Sequence, residues 1–364
     1  MIRVLSLLFA TWLLPGSTYA AARLGDYATV EFAPARGQTF AIPVLLEQPA
    51  EVEINLYTSD GDLLRTLRSP EPLPPGTHTL VWDGKDAQGI VAPDEAYIPV
   101  LKVKPANGEE QIDDPRTTSG GEVLEDLRVE ITATQDIAYT LPAPARVLIR
   151  AGIKGGPMLR SLANWQPRGP GRNIQRWDGR DSSGLVDLRG EPNLSILVTA
   201  FRLPEHAILT SGNTALDYRR YRTQQGWPER LVTPDQMTLS RGATRLSRYY
   251  YSPRSQDADP RVTVTLPQEL SRMADGLPLV KLGQTLPVIA DIAREDRWLM
   301  NESLYEVAFF IDHQFLSEEE QGYVPLTWLW TVNGLAPGRH LLTVNVSGFS
   351  GKVGVASTLF IVAE

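Results

Sequence analysis

The stretches "WDGKDAQG" at Trp82–Gly89 and "WDGRDSSG" at Trp177–Gly184 decide how this chain is read. Their tryptophans stand 95 residues apart (177 − 82). Two Asp at a spacing of three, framed by Gly, could hold a cation, form half of an acid/base pair, or make a turn that the fold uses twice. Sliding the chain by 95 separates these cases. "IPVLLEQPAEVEI" (Ile42–Ile54) falls on "IAYTLPAPARVLI" (Ile137–Ile149), "GDLLRTL" (Gly61–Leu67) on "GPMLRSL" (Gly156–Leu162), and "PPG" (Pro74–Gly76) on "GPG" (Gly169–Gly171). No gap is needed from Ile42 to Val91, so the chain carries two copies of one unit.

Within a unit, "AEVEINLY" alternates and puts Val52, Ile54 and Leu56 on one face. "SDGD" is a hairpin turn and "LLRTL" the returning strand. "PPGTHTLVWDG" is a turn and a strand that ends at the Trp, and "DAQG" or "DSSG" turns the chain again. "AYIPVLKV" (Ala96–Val103) or "LSILVTAF" (Leu194–Phe201) closes the unit. This predicts about six or seven short strands per copy, an immunoglobulin-type β-sandwich. With no Cys in the chain, the disulfide-pinned variety is excluded.

The order P-x-G, then W-D-G-x-D-x-x-G, then a closing strand resembles the immunoglobulin-like domain of the flagellar hook-capping (FlgD) family. Gly76, Trp82, Asp83, Gly84, Asp86 and Gly89 carry the match in the first copy; Gly171, Trp177, Asp178, Gly179, Asp181 and Gly184 carry it in the second. The family usually has Gly-Tyr entering the last strand. Here Ala96 replaces that Gly before Tyr97, and the second copy, "GEPNLSIL", lacks the Tyr, which predicts a longer final hairpin. The resemblance covers residues 30–104 and 127–203 and implies interaction with other protein subunits. It does not extend to a whole hook-capping protein, a family exported without a cleavable signal.

From about Asp259 a third sandwich is expected. "RVTVTLP" (Arg261–Pro267) alternates, "YEVAFFIDHQFL" (Tyr305–Leu316) reads as strand, turn and strand, and Gly334–Val362 places Leu342, Val344 and Val346 on one face of a long strand. This part resembles bacterial Ig-like domains. "SEEEQG" (Ser317–Gly322) reads as a solvated hairpin tip. The expected organisation is a signal peptide (1–22), a first hook-capping-type domain (23–104), an acidic linker (105–126), a second such domain (127–209), an Arg/Tyr-rich connecting segment (210–259) and a third Ig-like domain (260–364): an all-β string of three immunoglobulin-like β-sandwiches.

The opening "MIRVLSLLFATWLLPGSTYAAARLGDY" has one cation, an apolar run from Val4 to Leu14 and small residues that set up cleavage after Ala20 or Ala22. It reads as a secretory signal too short to span a bilayer. The predicted location is the periplasm or the cell exterior, with no transmembrane anchor and no N-terminal Cys for lipidation. The net charge of −8 speaks against a nucleic-acid partner.

No catalytic set is legible. The four His stand apart, and His78 and His340 occupy matching points of a "PGxH" turn. No zinc spacing, nucleophile elbow or phosphate loop is present, and no cofactor or metal is expected. Calcium wants six to eight oxygens, whereas each motif offers two carboxylates; the Asp read better as turn-formers and the Trp as core plugs. From Leu216 to Arg261, in contrast, stand nine Arg and five Asp or Glu inside an acidic protein. Tyr218, Arg219, Arg220, Tyr221 and Arg222, then Arg245, Arg248, Tyr249, Tyr250 and Tyr251, form either a recognition surface for carboxylates, peptides or sugars, or a packed interdomain segment whose Arg pair with the acidic linker. The sequence therefore predicts a non-enzymatic scaffolding protein of an envelope or extracellular assembly that binds other protein subunits. The alternative is a glycan-binding or adhesive accessory protein, with Tyr249–Tyr251 or Trp298, Trp328 and Trp330 stacking on sugar.

Overall fold

The computed structural model describes residues 22–106, 108–230, 237–301 and 304–363. It is built almost wholly from strands, arranged as three two-sheet sandwiches, each with its own core. The signal-peptide reading of residues 1–22 lies, Ala22 apart, outside the described residues. Ala22 lies in the strand Ala22–Leu24, paired with Phe40–Leu46 from Ala22↔Leu46 onward.

In the first sandwich, Ala22–Leu24, Phe40–Leu46 and Gly76–Trp82 form one sheet. The other sheet is built on Leu63–Arg68, Ala50–Tyr57 and Ala96–Pro105. Period-two apolar residues do what the alternation predicts: Ile42, Val44, Val52, Ile54 and Leu56 are buried together around Trp82. The second sandwich repeats the plan with Ile137–Leu141, Ala145–Ile153, Met158–Arg168, Gly171–Gln175 and Leu194–Arg202. Ala50 pairs with Pro105 and Ala145 with Arg202, an offset of 97 (202 − 105) in the last strand against 95 elsewhere. The extra length is the predicted longer hairpin, which holds a short 3-10 turn at Leu188–Gly190. The third sandwich sets Val262–Thr265, Thr285–Ile292 and Leu326–Thr331 against a sheet that includes Tyr305–Ile311, Gly338–Gly348 and Val353–Ala363.

Three stretches differ from the expected organisation. The acidic "linker" is consumed by the sandwiches on either side: Gln111–Asp113 pairs with Leu101–Val103 of the first, and Val123–Leu124 with Ala200 and Phe201 of the second. Between them Asp114 caps a 3-10 turn by accepting Arg116 N at 3.0 Å. Next, Ile208–Thr210, placed by sequence at the end of the second domain and the start of the connecting segment, adds to the first: Ile208 pairs with Tyr97, and Leu209 runs parallel to Glu31. Short strands with mixed polarity give no periodic signal, and only the neighbouring free edges select them. Finally, Ser317–Gly322 is not a hairpin tip. The turn falls at Asp312–His313, both at positive φ, and the glutamates sit at the far end of the strand Gln314–Glu319.

Candidate functional site

The two motif turns are near-copies in three dimensions. The indole N–H of Trp82 donates to Lys85 O (2.9 Å) and that of Trp177 to Arg180 O (3.0 Å). Asp83 and Asp178 accept the backbone N–H two residues on, at 3.1 and 3.0 Å. Asp86 accepts from Gln88 N and Ile90 N, and Asp181 from Ser183 N, Leu185 N and Val186 N. Gly84, Gly89, Gly179 and Gly184 all lie at positive φ. The aligned "LLR" and "MLR" supply a further shared part, an Arg that donates to the first Asp of the motif: Arg65 to Asp83 and Arg160 to Asp178, both at 2.8 Å. These carboxylates spend their oxygens on turn N–H groups and Arg, which is the chemistry of Asx-turns. The PGxH histidines match too: His78 Nε2 lies 2.7 Å from Pro74 O and His340 Nε2 2.8 Å from Ala336 O.

What covers the two turns differs. Over the first sits the helix Tyr218–Gln225, capped by Asp217 at its start and by left-handed Gly226 at its end. Tyr221 is wholly buried, its hydroxyl donating to Asp86 Oδ2 at 2.8 Å, with Gln225 Nε2 on the same oxygen at 3.1 Å. Over the second turn sits the third sandwich: Ser357 N donates to Ser183 Oγ at 2.9 Å, and Asn345 brackets the Met158 backbone with two bonds of 2.8 Å.

The residues of the Arg/Tyr segment thus divide. Tyr218, Tyr221 and Arg222 are interior. Arg219 lays its guanidinium over the Trp298 ring at 4.1 Å, whereas Arg220 is exposed. Tyr249 stacks on Trp165 at 4.6 Å, and Arg248, over the Tyr249 ring, donates to Phe349 O of the third sandwich at 2.8 Å. Tyr250 meets Phe201 edge-on, and burial pushes its phenol up to about 12. Tyr251 packs edge-on against Tyr250, and Arg245 points outward, 3.9 Å from Glu125. Of the tryptophans considered for sugar stacking, Trp330 is core, and Trp328 is stacked between Phe309 and Trp330.

Beneath this segment lies an ionic network of residues that the sequence did not single out. Glu95, fully buried in the first sandwich, accepts Arg146 Nη2 of the second at 2.6 Å, Arg254 Nε of the segment at 2.7 Å, and Ala96 N at 2.7 Å. Burial would raise the Glu95 pKa, but the guanidinium of Arg146, then that of Arg254, outweigh it and hold the carboxyl below the ordinary range. Arg146 also donates to Trp165 O at 2.9 Å and to Ser59 Oγ. Asp60 receives Arg254 N and Ser255 N, and Arg222 pairs with Asp60 and Asp62 at 3.4 and 2.8 Å. Asp257, 3.8 Å from Arg254, is pushed up to about 8 by burial, against the pull of Arg254 and Arg146 and with help from Asp60 and Glu95. A signal for this network was present in the alignment of the two copies. At the aligned offset Asp60, Asp62 and Arg146 stand opposite Gly155, Pro157 and Glu51. The copies differ where each meets something else.

Above the network a cavity of about 270 Å³ opens between the first two sandwiches. Its walls include Arg116, Arg230, Phe201, Tyr249, Tyr250 and Tyr251. Among the described residues no group of three or more His, Cys, Asp and Glu is placed to hold a metal, and no helix is long and apolar enough to cross a membrane.

No protein-family profile matches the chain. The basal-body rod modification protein FlgD of Salmonella typhimurium is 32% identical over 101 residues, 28% of this chain and 40% of that protein, and the Salmonella typhi FlgD aligns equally. The chain thus spans well under half the length of these relatives. Among solved structures, a tetra-tandem repeat from the extending region of a large adhesion protein aligns over 94% of this chain and 73% of that one, at 14% identity and a TM-score of 0.20. The FN1–FN3 domains of chicken CNTN1 align over 94% and 98%, at 10% identity and 0.19. Superpositions of that quality bear on no site or partner.

Proposed function

We propose that this chain is an exported, non-enzymatic scaffolding protein that holds protein subunits of a bacterial envelope or extracellular assembly at fixed relative positions. The observation that carries the reading is the clamp on Glu95. A carboxylate of the first sandwich is gripped by one Arg of the second and one of the connecting segment, and the same segment reaches the third sandwich through Arg248 and Arg219. Buried, hydrogen-bonded charge across a junction fixes geometry more than it adds stability, and a scaffold needs fixed geometry. The partial similarity to a basal-body rod modification protein supports a place in an envelope assembly. The leader read at residues 1–22 supports export to the periplasm or beyond.

Crosslinking with mass spectrometry in the producing cells tests the proposal. Links from Arg245, Arg248 or Arg220 variants bearing a photoreactive residue to other envelope proteins are expected; links confined to the chain itself would overturn it. The tyrosines that line the cavity sustain a second reading, glycan binding, which predicts retention on a polysaccharide array that is lost in Tyr251→Ala.

A further inference from the structure

The two copies of the repeat close differently, and the difference leaves a gap. In the first sandwich the seam between the sheets runs between the strands Ala22–Leu24 and Ala96–Pro105. Gln111–Asp113 fills it, pairing antiparallel with Leu101–Val103, while Asp113 Oδ2 accepts Leu24 N at 3.4 Å across the seam. The core is sealed there: Leu24 is 2% exposed, and Leu101 and Val103 are 0 and 1%.

In the second sandwich the matching strands are Val129–Ile131 and Leu194–Arg202. Val123–Leu124 enters the same seam but pairs only with Phe201 and Ala200. Among the described residues, the outer edge of Leu194–Thr199 and that of Val129–Ile131 have no ladder partner. Val129 and Ile131 sit opposite buried Tyr139 and Ile137, so they point into the core, yet they are 37 and 46% exposed. Ile196 and Val198, opposite Ala151 and Ile149, are half-buried, and Leu197 on the outer face is 53% exposed. Core-facing apolar side chains open to water beside two unpaired backbone edges are the physical condition for strand addition.

We propose that this seam receives an extended strand from a different protein, antiparallel to Leu194–Thr199, with an apolar residue at every second position. The first copy shows that the unit accepts a strand at this place. Gln111–Asp113 of the first copy, antiparallel to Leu101–Val103, sets the direction, and charge sets the two ends. Glu125 and Asp126 follow Val123–Leu124 at the Ala200 end, with Arg245 3.9 Å from Glu125, and exposed Lys154, whose N–H donates to Asn193 O, marks the Leu194 end. A strand running antiparallel enters at the acidic end and leaves at the basic one. Its preferred form has a cation before the apolar run and an anion after it. The inference gives the scaffold one particular docking surface, but it rests on the second sandwich alone, so it stands or falls separately from the junction.

The test is hydrogen exchange on the full mature chain with two probes, acetyl-KTVTVTVTE-amide and the charge-swapped acetyl-ETVTVTVTK-amide. The first is expected to slow the outward-facing amides of Leu194–Thr199 by about tenfold or more, as pairing into a ladder does. The swapped probe should do less, and Ile131→Lys should abolish the effect while the melting temperature holds, since Ile131 is already half in water. Three results would overturn the proposal: neither probe protects these amides; they are already protected in the free chain at every dilution, which makes another segment of the chain the occupant; or their protection falls on dilution, which makes it a second copy.

Discussion

Replacing Glu95 by Gln should cost about 3 kcal/mol, near the low end of what removing one partner from a buried ion pair costs. The arithmetic follows from what surrounds the carboxylate. Two charge-assisted bonds, from Arg146 Nη2 and Arg254 Nε, lose the charge that makes each worth about 1.5–3 kcal/mol rather than about 1. Arg254 keeps Asp257 nearby, whereas Arg146, 5% exposed, retains only a carbonyl and a hydroxyl. The loss falls mainly on Arg146 and so on the contact between the first two sandwiches. Urea unfolding followed by tryptophan fluorescence reads it, Trp165 being in contact with Arg146. At a slope of about 3 kcal/mol per M, the first transition should move down by about 1 M. Small-angle scattering should show the two sandwiches hinging before either unfolds. A companion variant separates lost charge from lost volume: Glu95→Leu with Arg146→Met should be more stable than Glu95→Leu alone, because the orphaned cation is gone. The pH dependence has a fixed sign. The folded pKa of Glu95 is depressed, so its contribution is complete above about pH 4.5 and is lost as pH falls through the folded value. A Glu95→Gln variant within 1 kcal/mol of the parent, or a double variant no better than Glu95→Leu, would refute the assignment of this network as the lock between the sandwiches.

Asp257→Asn acts in the opposite sense: with a folded pKa of about 8, Asp257 favours the folded state less as pH rises from about 4 to 8, so the advantage of the Asn variant in urea midpoint should grow from pH 5 to pH 8. Gly84→Ala should destabilise the first sandwich by about 2–3 kcal/mol, because φ is positive and a β-carbon there would overlap Pro34; Gly89→Ala, with open space around it, should cost only about 1 kcal/mol, and thermal melts compare the two. For His340, burial lowers the pKa, but the bond to Asp312 Oδ2 (2.6 Å) and the Ala336 carbonyl outweigh it, so the net shift is upward. The stability His340 adds to the third sandwich should be full below about pH 6.5 and lost as pH rises through the folded value, and the difference in melting temperature between the parent and His340→Gln should shrink accordingly.

Much of the fold was legible because it is local. Period-two apolar runs named the core strands, and the 95-residue register made one copy confirm the other. The offset failed only in the last hairpin, where two residues were added. Tyr249, Tyr250 and Tyr251 were singled out for composition, and their rings do line or flank the cavity, but Tyr218, Tyr221 and Arg222 from the same pattern are interior. Composition alone does not separate an aromatic that recognises a ligand from one that plugs a turn. Glu95, Asp60, Arg146 and Arg254 were not singled out: the two copies do differ at Asp60 and Arg146, but such a difference names no partner, and the partners lie 51 to 194 positions away.

By itself, then, the sequence determined what each repeat is: the alternation, the Asx-turn at "WDGxDxxG" with its glycines at positive φ, and the Trp that plugs the strand end. All of these depend on neighbours a few residues off or on one repeat's own core. Tertiary structure decided what each repeat meets. The same turn is covered by the helix Tyr218–Gln225 in one copy and by the third sandwich in the other, and the same seam is filled in the first and open in the second. The physical reason is that an edge strand or a buried charge is satisfied only by whatever the rest of the chain brings to it. Two nearly identical motifs can therefore fold alike and still differ in the surface they leave free.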